Sequence, residues 1–160
     1  MTIYSGIQQK LTEYRAQQGI YWADLQQRIK NFGTDLVSYL GVEGFGLCDS
    51  RDNKYSVVTV GMMDGGNVKK APPFLMEKIE GQVNSLHFYL QVNLSGFGSE
   101  ILDSAMTFEC YFRKDHGDYF INIAGKDIEC RSVNDKCDFT SVFDYIVKKL
   151  EESVDKSRYE

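Results

Sequence analysis

No stretch of this sequence stays apolar for more than a few residues. A membrane-spanning helix, which needs about 20 predominantly apolar residues in a row, is therefore not expected. Cysteine is sparse: Cys48, Cys110, Cys130 and Cys137 stand 62, 20 and 7 residues apart, with no C-x-x-C among them. That spacing excludes the compact redox and zinc motifs and favours reduced thiols over a disulfide framework. The opening Met1-Thr2-Ile3-Tyr4-Ser5-Gly6 has no basic stretch leading into an apolar one. A cleaved export signal is not expected from it, and the expected location is the cytoplasm. Positive charge in excess is missing too. Residues 1–80 carry nine basic and nine acidic side chains, and residues 81–160 nine basic and fourteen acidic, giving the net −5. An acidic second half argues against nucleic acid as the main partner, because phosphate binding needs a positive field. A basic protein would suit it, although −5 also serves simply to keep a small domain soluble.

What the sequence does have is enough chain and enough rings. At 160 residues it is one domain long and can bury a core without staples. Aromatics reach 13%, with ten Tyr and ten Phe, a bias that favours a pleated sheet surface. The fold class expected is α+β. A long N-terminal helical segment (1–41) leads into an antiparallel β-meander of about five to six strands (42–133). A C-terminal helix (138–155) packs on the sheet, and a polar tail (156–160) follows.

The helical segment rests on periodicity. Ile7, Leu11, Tyr14, Tyr21, Leu25, Ile29, Phe32, Leu36 and Leu40 recur at steps of three, four and seven, which puts them on one stripe. Ser5 with Gln8 reads as a capping box at its start, and Gly41 as the left-handed stop. A straight helix over 6–40 would run about 50 Å, longer than the roughly 40 Å span of a body this size. It must bend, break or project, and Gly19 and Gly33 are the expected joints, with Thr34-Asp35 able to start a second piece. If it projects, the stripe invites a homodimer.

Alternation marks the strands. Leu86, Phe88, Leu90, Val92 and Leu94 interleave with His87, Tyr89, Gln91 and Asn93 over 85–94. Met106, Phe108, Cys110 and Phe112 likewise interleave with Thr107, Glu109, Tyr111 and Arg113, one set facing the core and the other outward. Turns at Asp115-His116-Gly117 and Ala124-Gly125 join two further strands, and loops so short require antiparallel neighbours. Tyr55 to Met62 ends in the turn Asp64-Gly65-Gly66-Asn67, and Gly44-Phe45-Gly46-Leu47-Cys48 could pair before it. Phe74 to Glu80, after Pro72-Pro73, reads equally as helix or strand. Asn134-Asp135-Lys136 ends the sheet. Ser141 with Asp144 resembles an N-cap for a last helix striped by Val142, Phe143, Ile146, Leu150 and Val154.

Chemistry-bearing patterns are few. Gly41-x-x-Gly44-x-Gly46 follows a helix and precedes a strand, the reverse of a dinucleotide loop, so the glycines read as cap and turn. Cys110, His116, Cys130 and Cys137 are too loosely spaced for a zinc site, and Cys110 shares a core face with two phenylalanines. Lys126-Asp127 with Glu129 reads as a solvated strand face, because no second acidic cluster accompanies it to complete a two-metal site. His87 beside Glu109 and Tyr111 could exchange a proton, yet no nucleophile accompanies them. No catalytic residue, metal or cofactor is expected. The outward row His87, Tyr89, Gln91, Glu109, Tyr111 and Arg113 has the composition of a protein interface instead. The expected function is a non-catalytic protein-binding protein: a small cytosolic inhibitor or immunity-type protein that occludes another, possibly basic, protein. The alternatives are a chaperone or oligomeric adaptor built on the N-terminal helix, and a small nuclease-like metal enzyme using Glu109, Asp127 and Glu129. No membrane partner is expected.

Overall fold

The structure, a computed structural model, describes residues 2–44, 46–48, 54–81, 83–94 and 104–159, so Phe45 and Glu160 lie outside it. Helix α1 spans Ile3–Ile29 and α2 spans Phe32–Leu40. The capping box is Thr2 with Ser5, not Ser5 with Gln8: Ser5 N donates to Thr2 Oγ1 at 3.0 Å and Thr2 N to Ser5 Oγ at 3.0 Å. The shorter serine can close the same reciprocal pair one turn earlier. The joint falls at Lys30-Asn31, and α1 passes unbroken through Gly19. Gly33 lies inside α2, where a Cβ would stand 3.0 Å from Val60 Cγ2, so its role is close packing on the sheet. Gly41 closes α2 in the left-handed conformation at φ 74°, as expected.

Ten strands follow among the described residues: β1 Gly46–Cys48, β2 Lys54–Ser56, β3 Val58–Asp64, β4 Asn67–Lys70, β5 Glu77–Ile79, β6 Ser85–Asn93, β7 Ala105–Asp115, β8 Asp118–Ile123, β9 Lys126–Val133 and β10 Lys136–Asp138. Strands β1 and β2 form a separate two-stranded ribbon. The other eight make one antiparallel sheet in the order β10-β9-β8-β7-β6-β3-β4, with β5 added beside β6. The sheet is wider than the five to six strands expected, because short segments joined it. Residues 74–80 divide into a 3-10 turn (Pro73–Leu75) and β5, too short to show a period. Asn134, at φ 57°, turns the chain back into β10 where the sequence suggested the sheet's end. Helix α3 (Thr140–Ser153) closes the fold. It lacks a side-chain cap of the Ser141 kind; Thr140 N instead donates to Asp138 Oδ1 at 3.0 Å. Val154 lies past the helix end and is exposed.

The alternation in β6 and β7 sorts the faces as read. Leu86, Phe88, Leu90, Val92, Phe108, Cys110 and Phe112 are buried, while Met106 and Leu94 pack half-buried at the margin. Phe32 sits at the centre, its ring 5.7 Å from Phe88, 5.1 Å from Phe139 and 5.4 Å from Phe143. Helices α1, α2 and α3 all contribute to this one cluster on one side of the sheet.

Only the C-terminal third of α1 packs. Trp22, Leu25 and Ile29 are buried, and Arg28 clamps the helix to the β9–β10 hairpin. Its guanidinium lies 4.2 Å over the Tyr119 ring and donates to Ser132 Oγ (2.9 Å), Lys136 O (3.2 Å) and Asn134 O (3.3 Å). Asp24 pairs with Arg28 at 3.0 Å and accepts from Tyr119. Residues 3–20, a length of about 27 Å at 1.5 Å per residue, contain no buried side chain. Ile7, Leu11 and Tyr14, the first third of the stripe, are therefore left exposed on a projecting arm. No helix among the described residues is long and apolar enough to cross a membrane.

Candidate functional site on the open sheet face

Because β-strand side chains alternate, the register that buries Leu86 and Phe112 places every expected site residue on the opposite face. Direct cross-strand partners are His87 with Tyr111, Tyr89 with Glu109 and Gln91 with Thr107. Glu77, delivered by β5, stands opposite His87 from the other side. These pairings bring a compact group together. His87 Nε2 lies 3.1 Å from Glu109 Oε1, and Tyr111 donates its hydroxyl to the same oxygen. The imidazole stacks on Tyr111, with centroids 4.6 Å apart and planes 12° from parallel, and meets Tyr89 edge-on at 5.0 Å. This covering leaves His87 only 8% exposed, which corrects the expectation that it lies open in the outward row. Its Nδ1 is buried without a hydrogen-bond partner among the described residues, 3.7 Å from Glu77 Oε1. The hydrogen bond to Glu109 pushes the Tyr111 phenol up to about 12, so the ring is a donor at neutral pH.

Arg113 belongs to an adjoining group. It makes a two-pronged ion pair with Asp127, at 2.8 and 2.6 Å, and lies 4.7 Å over the Phe120 ring. Asn122 Nδ2 donates to the same carboxylate at 3.2 Å. Together these contacts hold the Asp127 carboxyl below the usual carboxylate range, the Arg113 hydrogen bond contributing most. Gln91 stands half-buried farther along β6, apart from both groups, and Asn93 is spent on Ser56 O at 2.7 Å.

Sequence reading missed Glu77, because three residues of β5 carry no usable alternation. It also missed the Arg113–Asp127 pair, which depends on two successive hairpin registers. In Asp115-His116-Gly117-Asp118 and Ala124-Gly125 the turn signals that set those registers were legible. The looser metal patterns do not converge. Cys110 is buried in the core while the His116 side chain is 96% exposed at a turn of φ 49°. Cys130 and Cys137 are buried, and all four thiols are unpaired. Burial raises the Cys110 thiol and pushes Cys130 up to about 12, which keeps both protonated. Among the described residues no group of three His, Cys, Asp or Glu could hold a metal ion.

Chemically, the face offers two outward carboxylates over a stacked aromatic floor. Glu77 and Glu109 keep 55% and 47% of their side-chain surface exposed, and their ion pairs among the described residues are with His87. Such a group can receive a cation. No protein-family model, no curated protein and no solved structure matches this chain.

Proposed function

We propose that the protein is a non-catalytic binding protein that recognises another protein through its open sheet face. The observation that carries this is the His87–Glu109–Tyr111 group with Glu77 and Tyr89, an ordered polar and aromatic patch on the face away from α1, α2 and α3. The partner's matching feature is a basic side chain, arginine or lysine. Glu77 and Glu109 offer it charge-assisted hydrogen bonds, and the Tyr89 and Tyr111 rings offer cation–π faces. A partner seated there is sterically occluded at its own basic surface, which is how a small inhibitor or immunity-type protein of the cytoplasm acts.

The test is binding to the partner that co-purifies from the native host. Tyr89→Ala and Tyr111→Ala should keep the circular dichroism spectrum and each lose about 2 kcal/mol, roughly thirtyfold in affinity. Glu109→Gln should slow association and flatten its salt dependence. Unchanged affinity in both tyrosine variants would remove the interface from this face.

A second reading, an oligomeric adaptor or a homodimer built on the N-terminal helix, is favoured by one observation. The arm exposes 88% of Ile3, 69% of Tyr4, 58% of Ile7, 46% of Leu11 and 64% of Tyr14.

A further inference from the structure

The arm's exposed stripe is more regular than its apolar residues alone suggest. Tyr4, Ile7, Leu11, Tyr14, Gln18, Tyr21 and Leu25 follow one another at steps of three and four without interruption, the seam of a two-helix coil. The seam's inner end is already occupied: Leu25 is fully buried and Tyr21 is half-buried, its hydroxyl donating to Asn84 O. Its outer end, Tyr4 to Tyr14, stays exposed, with no buried side chain along it. An isolated helix of this length is marginal in water, and this one is poorly equipped to stand alone. Gly6 and Gly19 weaken it and have open space around them. Thr12 bonds back to Gln8 O, Gln9 reaches Glu13 only at 3.5 Å, and among the described residues the arm's first tie to the body beyond the capping box is Gln18 Nε2 donating to Glu80 Oε1 at 3.1 Å.

Resting on the second reading above, we infer that the arm pairs antiparallel with the arm of a second copy, Tyr4 of each seating against Tyr21 of the other. One feature fits a second copy as the occupant, and two more select the direction. First, matching each residue with the one that brings the two numbers to 25 pairs seam with seam throughout: Tyr4 with Tyr21, Ile7 with Gln18, Leu11 with Tyr14. Second, a parallel pair would set Lys10 beside Arg15 of the other copy, a like-charge contact across the seam's flanks, whereas the antiparallel pair sets Lys10 beside Gln17 and Arg15 beside Gln8. Third, a cleft of about 410 Å³ lies where the arm leaves the body, lined by Tyr14, Gln18, Ile20, Tyr21, Trp22 and His116 among others. The end of an incoming antiparallel arm arrives in that cleft, and Ile3 and Tyr4, the most exposed of its apolar side chains, fill it. A parallel arm would leave it open.

Sedimentation equilibrium combined with directed cross-linking tests this. In a Cys48→Ser background, which removes the exposed thiol, Ile7→Cys and Gln18→Cys proteins are mixed and oxidised. The expected product is the mixed disulfide between positions 7 and 18, with little 7–7 or 18–18. Leu11→Glu, at an exposed site on the arm, should keep the unfolding temperature and weaken dimerisation by about tenfold or more. A dimer cross-linked chiefly at 7–7 and 18–18 would overturn the antiparallel inference and leave an arm-built oligomer standing. A monomer at all concentrations would overturn both, and would leave the arm to a helix of a different protein.

Discussion

At the scale of single residues, Glu109 organises the open face. One of its oxygens meets both His87 and Tyr111, so the two rings are fixed in a stack that neither would hold on an exposed strand alone. The cost of that arrangement shows in Tyr111, whose hydroxyl must stay protonated to donate. A phenol raised above its ordinary value of 10 favours folding below pH 10, and that contribution fades as pH rises through about 12. Residue-resolved NMR titration should therefore find the Tyr111 ring ionising near 12, and Glu109→Gln, which removes the neighbouring charge, should lower that value. Ionisation of Tyr111 at its ordinary pH in the unaltered protein would show that the hydrogen bond does not form. That Tyr89 and His87 share a face with Glu109 and Tyr111 was implicit in the alternation of β6 and β7, while their direct pairing comes from the register. Nothing in the sequence, however, revealed that two tyrosines would close over His87, since packing on a face does not follow from its period.

At the scale of elements, long patterned segments were legible and short ones were not. Nine to eleven residues of alternation identified β6 and β7, including which face is buried. The three-residue strands β5 and β10 owe their existence to the neighbours that pair with them, and a tertiary pairing leaves no local signature. The helix joint shows a similar limit. Glycine is the usual suspect for a break, yet Gly33 is needed for contact with Val60, and the chain bends at Lys30-Asn31 so that Ile29 and Phe32 both reach the core. Gly61 on β3 is the more demanding position. A Cβ there would stand 1.9 Å from Lys69 O and 2.6 Å from Ala71 N, both backbone atoms that cannot step aside. Gly61→Ala should destabilise the protein by at least about 2 kcal/mol through overpacking, read as a lower urea midpoint. The same change at Gly65, in the tip of the β3–β4 turn with open space around it, should cost less, its burden being only the positive φ of 58°.

At the scale of the whole molecule, one layer of helices covers one face of a sheet, and among the described residues two surfaces are left unspent. The open face holds carboxylates and rings in fixed positions, while the arm holds an apolar seam away from the body. The acidic balance of the second half, readable from composition, is consistent with the first surface, since residues 81–160 supply Glu109, Asp127 and Glu129. The arm was foreshadowed only by arithmetic, a stripe too long for the body it belongs to. Among these claims, recognition of a basic partner by the open face is central, and photo-cross-linking in the native host tests it most directly. A photoreactive amino acid placed at Tyr89 or Gln91 should capture one partner, joined through a segment containing arginine or lysine, and the same probe at Lys148 on α3 should capture none. Capture from Lys148 or from the arm alone, with Tyr89 and Gln91 silent, would contradict the account.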